Sequence, residues 1–192
     1  PPPGLMVPKV KSPDEIKMLD DLLTEASHPT RLQVIIETNA GLEAAFEIAQ
    51  SSPRVDALLF GGVDMAAELR CELSWEALLY ARSRVVHAAA GAGIDVIDVP
   101  YLDLQDPDGM LVAAKQAKSL GFSGKGSIHP KQIAALNDVF TPTEEEVERA
   151  RLIIKTFEES DSALVVINGK LIEKPVLRDM YRIVSIAERI GK

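Results

Sequence analysis

VIIETNAG (residues 34–41) and LLFGGVD (residues 58–64) share one design: an apolar run that stops abruptly at a carboxylate beside glycine. Such a run, with a helical pattern behind it, reads as a buried parallel strand feeding a helix. In parallel α/β folds the strand C-termini open on one face, and chemistry collects there. Glu37 and Asp64, read as the ends of neighbouring strands, then stand close enough to share one hard cation. One or two protein carboxylates, several waters and a substrate oxygen are the ligand set that Mg²⁺ favours. A single carboxylate at a strand end reads more plainly as a helix cap or a lysine partner. Two on successive strands favour the metal.

Outward from these runs the chain keeps a βα rhythm. A strand at 5–9 leads to a helix at 13–26, opened by Ser12 as N-cap, Pro13 at the first helical position and Glu15 closing a capping box. Strand 32–37 leads to helix 41–50, and strand 55–60 to an alanine-rich helix at 74–90 stopped by Gly91 and Gly93. Strand 94–99 precedes helix 107–120, closed by Gly121, and strand 124–128 precedes helix 130–139. Five strands alternating with helices imply a parallel sheet with right-handed crossovers. After Phe140 the rhythm breaks. Thr143 and Glu146 cap a charged helix reaching Glu159, Asn168-Gly169 marks a hairpin, and a last helix at 175–190 ends at Gly191. No G-x-G-x-x-G follows a strand and no Walker-type loop occurs, so a dinucleotide or P-loop reading has no support.

Composition narrows the classes further. The 192 residues are 46% hydrophobic and 26% charged, as in an ordinary globular domain, with aromatics at 5%. A net charge of −8 argues against a nucleic-acid surface, which needs clustered Lys and Arg. It leaves an anionic substrate open, because a bound cation reverses the local field. The one cysteine, Cys71, excludes an internal disulfide and fits a reducing compartment; the expected location is the cytoplasm. No apolar run approaches the ~18 residues of a membrane span. Pro1-Pro2-Pro3-Gly4 is a stiff lead-in without the basic start of a signal peptide.

The ordered succession VPKV, IIETNAG, LLFGGVDMAAEL, IDVIDVPYLDLQDPDG, GFSGKGSIHPKQI, NDVFTPTEEEVERA and INGKLIEKP resembles the citrate lyase β-subunit-like family, with its malyl-CoA and citramalyl-CoA lyases. The resemblance implies a TIM-type (β/α)8 barrel with Mg²⁺ at its C-terminal face. Residues 1–140 would hold the last five βα units and the metal site, and 141–192 a hairpin-and-helix arm packing on a neighbouring subunit. It implies a carbon–carbon lyase that cleaves a β-hydroxy acyl thioester, on CoA or an acyl carrier, to an acetyl thioester and a keto acid such as oxaloacetate, glyoxylate or pyruvate. The metal acids fall on Glu37 and Asp64. The N–H groups that hold the keto-acid carboxylate fall on Gly62, Val63 and Asp64. The catalytic acid falls on Glu173, where the family motif carries aspartate, and it implies a homo-oligomer, a trimer or hexamer. The family's carboxylate-binding arginine belongs to three strands that would precede this sequence. A thioesterase using the same metal, an aldolase for keto acids and a non-catalytic acyl-thioester-binding paralogue are the alternatives.

Other polar residues carry weaker signals. His129 faces a CoA arm or caps a helix, and Lys125 meets a phosphate or pairs with an acid. His87 reads as structural within its helix, and His28 as a solvated loop residue. Asp98 reads as lining the site mouth, Asp103 as a turn residue, and Glu144-Glu145-Glu146 as a favourable first helical turn.

Overall fold

The structure, a computed structural model, describes residues 2–160 and 162–191; Pro1 of the proline lead-in lies outside them. The chain divides into two compact units, Pro1–Leu136 and Asn137–Lys192. In the first, strands β1 (Gly4–Val7), β2 (Arg31–Ile36), β3 (Val55–Phe60), β4 (Asp95–Asp98) and β5 (Gly124–Lys125) form one sheet in the order 1-2-3-4-5. Every pair is parallel. That order never reverses, so there is no topological switch point of the doubly wound kind. Right-handed crossovers that always step the same way put all the helices on one face of the sheet. This is the arrangement of successive βα units in a TIM-type barrel.

Between the strands lie α1 (Pro13–Glu25), α2 (Asn39–Glu43), α3 (Ala45–Ala49), α4 (Gly62–Leu69), α5 (Leu79–Ala92) and α6 (Pro107–Leu120). The helix-covered face of the sheet carries Val34, Ile36, Leu58 and Phe60, which pair across β2 and β3 and are at most 2% exposed. Ile48, Val85, Ala88 and Ala89 of the helices are buried with them. The small alanines of α5 let a helix lie close on the sheet. The opposite face, bearing Met6, Ile35, Leu59 and Ile97, is only partly covered.

Local chemistry sets most boundaries. Asp106 accepts from Gly109 N (2.9 Å), Pro107 fills the first position, and Gly121 ends α6 in the left-handed region. Several expectations shift. Ser12 precedes α1 without a side-chain cap, and Glu15 instead accepts from Lys11 N at 3.3 Å. The helix expected at 41–50 is two short ones, α2 and α3, meeting at Ala44. The helix expected from Ser74 begins at Leu79, after a turn, and Gly91 lies inside it; Gly93 is the stop. An unexpected helix, α4, fills 62–69. The strand expected at 124–128 is two residues long, Gly124–Lys125, although Gly126 N still donates to Asp98 O of β4 at 2.9 Å.

Behind the sheet, Arg54 ties three segments together. It donates to Asp20 (2.6 Å), to the carbonyls of His28 (2.6 Å) and Thr30 (3.2 Å), and to Thr24 (3.1 Å). Ser52 donates to the other Asp20 oxygen at 2.7 Å. Hydrogen bonds from Ser52 and Arg54 hold the Asp20 carboxyl below the usual carboxylate range. A carboxyl lowered on folding adds stability above its unfolded pKa, and that stability is lost as pH falls through the folded one. Asp20→Asn is therefore expected to lower the melting temperature at pH 7 and to narrow the gap to the parent below about pH 4, as a pH series of thermal melts reads directly.

The second unit holds α8 (Glu144–Glu158), the hairpin β6 (Leu164–Ile167) and β7 (Lys170–Glu173), a 3₁₀ turn (Lys174–Val176) and α9 (Leu177–Arg189); α7 (Pro130–Phe140) runs across the division. Thr143 and Glu146 form the full capping box. Ala150, Ile153, Phe157, Val165, Ile172 and Met180 make this unit's own core. Among the described residues no helix is long and apolar enough to cross a membrane.

Candidate functional site

Glu37 follows the last residue of β2, and Thr38 behind it caps α2 by accepting from Gly41 N at 3.0 Å. The carboxylate is thus fixed between a strand and a capped helix, with 6% of the residue exposed. Asp64 is placed differently from the sequence expectation. It is the third residue of α4 rather than a strand end, because the chain turns into a helix directly after Gly61. Both routes still bring the two carboxylates together, each influencing the other's ionisation. Burial, with Asp64's negative charge adding to it, pushes the Glu37 carboxyl above its ordinary range. The hydrogen bond from Lys9 pulls Asp64 the other way.

Gly61 is what allows the approach. A Cβ there would stand 2.4 Å from Glu37 Cβ and 2.5 Å from its Oε2. Gly61 N in turn donates to Ile36 O at 3.0 Å, which locks the turn onto β2. Since Gly61 offers no side-chain cap, the N–H groups of Gly62, Val63 and Asp64 begin α4 without intrahelical acceptors; Met65 N is the first to bond back, to Gly61 O at 3.1 Å. These groups face anions favourably, as helix N-termini do. Glu37, Gly61, Val63 and Asp64 border a cavity of about 350 Å³ floored by Met6, Ile35 and Leu59.

Among the described residues, no group of three or more His, Cys, Asp or Glu side chains could hold a metal ion. Two carboxylates leave most of a coordination shell to water and substrate. The donor set is hard oxygen only, which suits Mg²⁺ better than Zn²⁺. Of the expected site residues, Glu37, Gly62, Val63 and Asp64 come together. Glu173 stands at the exposed end of β7 in the second unit, on the same hairpin face as Leu164, Val166 and Leu171.

Three polar residues matter more than the sequence suggested. Lys9 donates its backbone N–H to Glu37 Oε1 (2.9 Å) and its ammonium to Asp64 Oδ1. Its signal was its place as the last residue of the strand expected at 5–9, a third charged residue at the same sheet end. Arg82 lies between the rings of Phe60 (4.9 Å) and Trp75 (4.8 Å) and donates to Asp98 at 3.0 Å. Gln132 joins two loops at the rim, donating to Tyr101 O (2.9 Å) and accepting from Ile128 N (3.0 Å). Nothing in the sequence flags either of these. Lys125 is the partner of an acid, since its ammonium is buried 2.6 Å from Asp98. His129 caps α7 by accepting from Lys131 N at 3.1 Å, and His87 is exposed rather than structural. Asp103 accepts from Gln105 N at 2.8 Å as a turn residue.

A family model described as HpcH/HpaI aldolase/citrate lyase matches residues 2–130. The chain belongs to this family. It is 34% identical over 208 residues to the mitochondrial citramalyl-CoA lyase of Mus musculus, a match covering 98% of this chain and 62% of that protein. The chain thus spans less than two thirds of that relative's length. The crystal structure of RipC from Yersinia pestis is 41% identical with a TM-score of 0.74, covering 77% of this chain and 67% of that one. The citrate lyase β subunit of Mycobacterium tuberculosis, complexed with oxaloacetate and magnesium, is 26% identical with a TM-score of 0.63 over 73% of this chain and 62% of that one.

Proposed function

We propose that this chain is part of a Mg²⁺-dependent carbon–carbon lyase that cleaves a β-hydroxy acyl-CoA, or the matching acyl-carrier thioester, to a keto acid and an acetyl thioester. The observation that supports it best is the buried Glu37 carboxylate set against Asp64 at the uncapped start of α4. The relative's name specifies a lyase of an acyl-CoA, and the mycobacterial complex pairs magnesium with a keto acid. Glu37 and Asp64 would hold the cation, which supplies Lewis-acid stabilisation for charge developing on the keto-acid oxygen.

The chain's own groups then have definite tasks. The N–H groups of Gly62 and Val63, which begin α4 without intrahelical acceptors, bind the keto-acid carboxylate. Cleavage breaks the carbon–carbon bond as the substrate hydroxyl's proton passes to solvent, the keto C=O forms and the bonding electrons enter the thioester enolate. Glu173 protonates the enolate carbon. Its hairpin face, with Val166 67% and Leu171 63% exposed, suits docking on a second copy, so the acid serves a neighbouring subunit.

Glu37→Gln and Asp64→Asn should each lower cleavage by at least about 10²-fold while the fold melts normally, since each removes charge from a site that acts on developing charge. Keto-acid release measured on a set of β-hydroxy acyl-CoAs is the assay. Free CoA without acetyl-CoA would instead identify a thioesterase, and full activity of both variants would sink the metal reading. Mixing Glu37→Gln with Glu173→Gln chains, each inactive alone, is expected to restore activity if the acid acts between subunits.

A further inference from the structure

The lysine between the two carboxylates is unaccounted for by the reaction. Lys9 touches both of them, through its backbone N–H to Glu37 and its ammonium to Asp64. It does so from the left-handed region at φ 55°, a backbone conformation that costs an L-residue with a side chain. That turn, immediately after β1, is what brings two donors of one residue onto two carboxylates that lie 28 and 55 positions away in sequence.

The two ends of this arrangement differ in freedom. Glu37 is buried, whereas the Lys9 side chain is 60% exposed and that of Asp64 49%. The ammonium can therefore leave on its flexible stem without unpacking anything, while Glu37 stays in place. Glu68 adds a third negative charge to Lys9's surroundings, its Oε2 accepting from Asn39 N at 2.5 Å. Lys9 is the cation among three acids, lying where a divalent ion shared by Glu37 and Asp64 would have to compete for Asp64.

We propose that Lys9 is a tethered counter-ion of the carboxylate pair, displaced from Asp64 when a divalent cation binds. This rests on the metal reading of the site. With the ammonium in position, Asp64 stays beside Glu37 despite their like charge. With the metal bound, the Asp64 oxygen is surrendered and the ammonium swings into solvent. The device trades metal affinity for a site kept in register before the metal arrives. It implies a weakly held, exchangeable cation.

The test is calorimetric titration of Mn²⁺ and of Mg²⁺ into the parent, Lys9→Met and Lys9→Arg chains, alongside thermal melts with and without metal. Lys9→Met should bind either ion about fivefold more tightly, the factor carried by a well-formed exposed ion pair. Lys9→Arg, which keeps the charge, should match the parent within about twofold, and raised salt should shrink the Lys9→Met gain. The metal-free Lys9→Met chain should melt below the parent and gain more from saturating metal. A residue with a merely structural role would not tighten metal binding when removed. Equal or weaker binding by Lys9→Met overturns the counter-ion role while leaving the metal site standing. No binding by the parent overturns the metal site and, with it, the role of Lys9.

Discussion

Asp98→Asn is expected to destabilise the first unit by about 3–5 kcal/mol, the usual result of removing one member of a buried ion pair. Asp98 is fully buried as a side chain, and its two oxygens are divided between Arg82 (3.0 Å) and Lys125 (2.6 Å), themselves 7% and 2% exposed. Neutralising it leaves two cations in a space that already holds one charge too many. Lys125 has a way out, because burial already lowers its pKa and Asp98 is the group pulling it back up. Without Asp98 the lysine sheds its proton more readily. Arg82 has no such escape, since a guanidinium stays charged, and one of its terminal nitrogens, Nη1, lacks a protein partner even in the intact network. The Phe60 and Trp75 faces give it partial compensation. The loss should therefore be largest at neutral pH and shrink as pH rises, because a folded state that favours neutral lysine gains stability relative to the unfolded chain with rising pH. Urea unfolding at pH 7 and pH 9 measures both effects. Adding Lys125→Met to Asp98→Asn should recover part of the loss, and no recovery would mean that Arg82 carries nearly all of it.

That network also marks how far the sequence could be read. Strands β2, β3 and β4 were legible because each is a local apolar run, and the end of α6 because Gly121 is a local signal that the chain uses as written. Glu37 and Asp64 were legible as a pair from their position after two such runs. Asp64's placement in a helix was not, because Gly61-Gly62 reads as a break, and α4 begins there without a capping side chain to announce it. Ser12 and Glu15 have a capping-box pattern yet make no reciprocal box. Nothing local singles out Arg82 within its alanine-rich helix, since its acid lies 16 residues on, across a strand connection. Lys9 and Asp64, 55 residues apart, are joined only because β1, β2 and β3 lie side by side. Local patterns gave the elements; pairings across the sheet gave the charges their partners.

Gly61→Ala is expected to weaken divalent-cation binding by about tenfold or more and to lower cleavage with it, with the melting temperature falling by roughly 3–10 °C. The reason is steric rather than conformational. Gly61 has φ −90°, which alanine adopts freely, but its Cβ would fall 2.4 Å from Glu37 Cβ and 3.0 Å from Ile35 Cγ2. Ile35 belongs to β2 and Glu37 is fixed between that strand and the Thr38 cap, so neither can retreat far. The Gly61 turn is itself held to Ile36 O. Relief of such overpacking typically costs about 1–3 kcal/mol, and here the shift falls on Glu37, half of the proposed metal site, and on the turn at Gly61. Gly62→Ala is the informative comparison. Its Cβ would meet Phe60 Cε1 and Val99 Cγ1 at 3.1 Å, apolar side chains and not a carboxylate. It should therefore cost some stability yet leave Mn²⁺ affinity within about twofold of the parent, because overpacking acts on the groups it displaces. Equal affinity in Gly61→Ala and the parent would mean that Glu37 does not contribute a ligand, whatever the activity of either variant. Loss of affinity in both glycine variants would point instead to the start of α4, where the N–H groups of Gly62 and Val63 share one turn with Asp64, as the part that must not move.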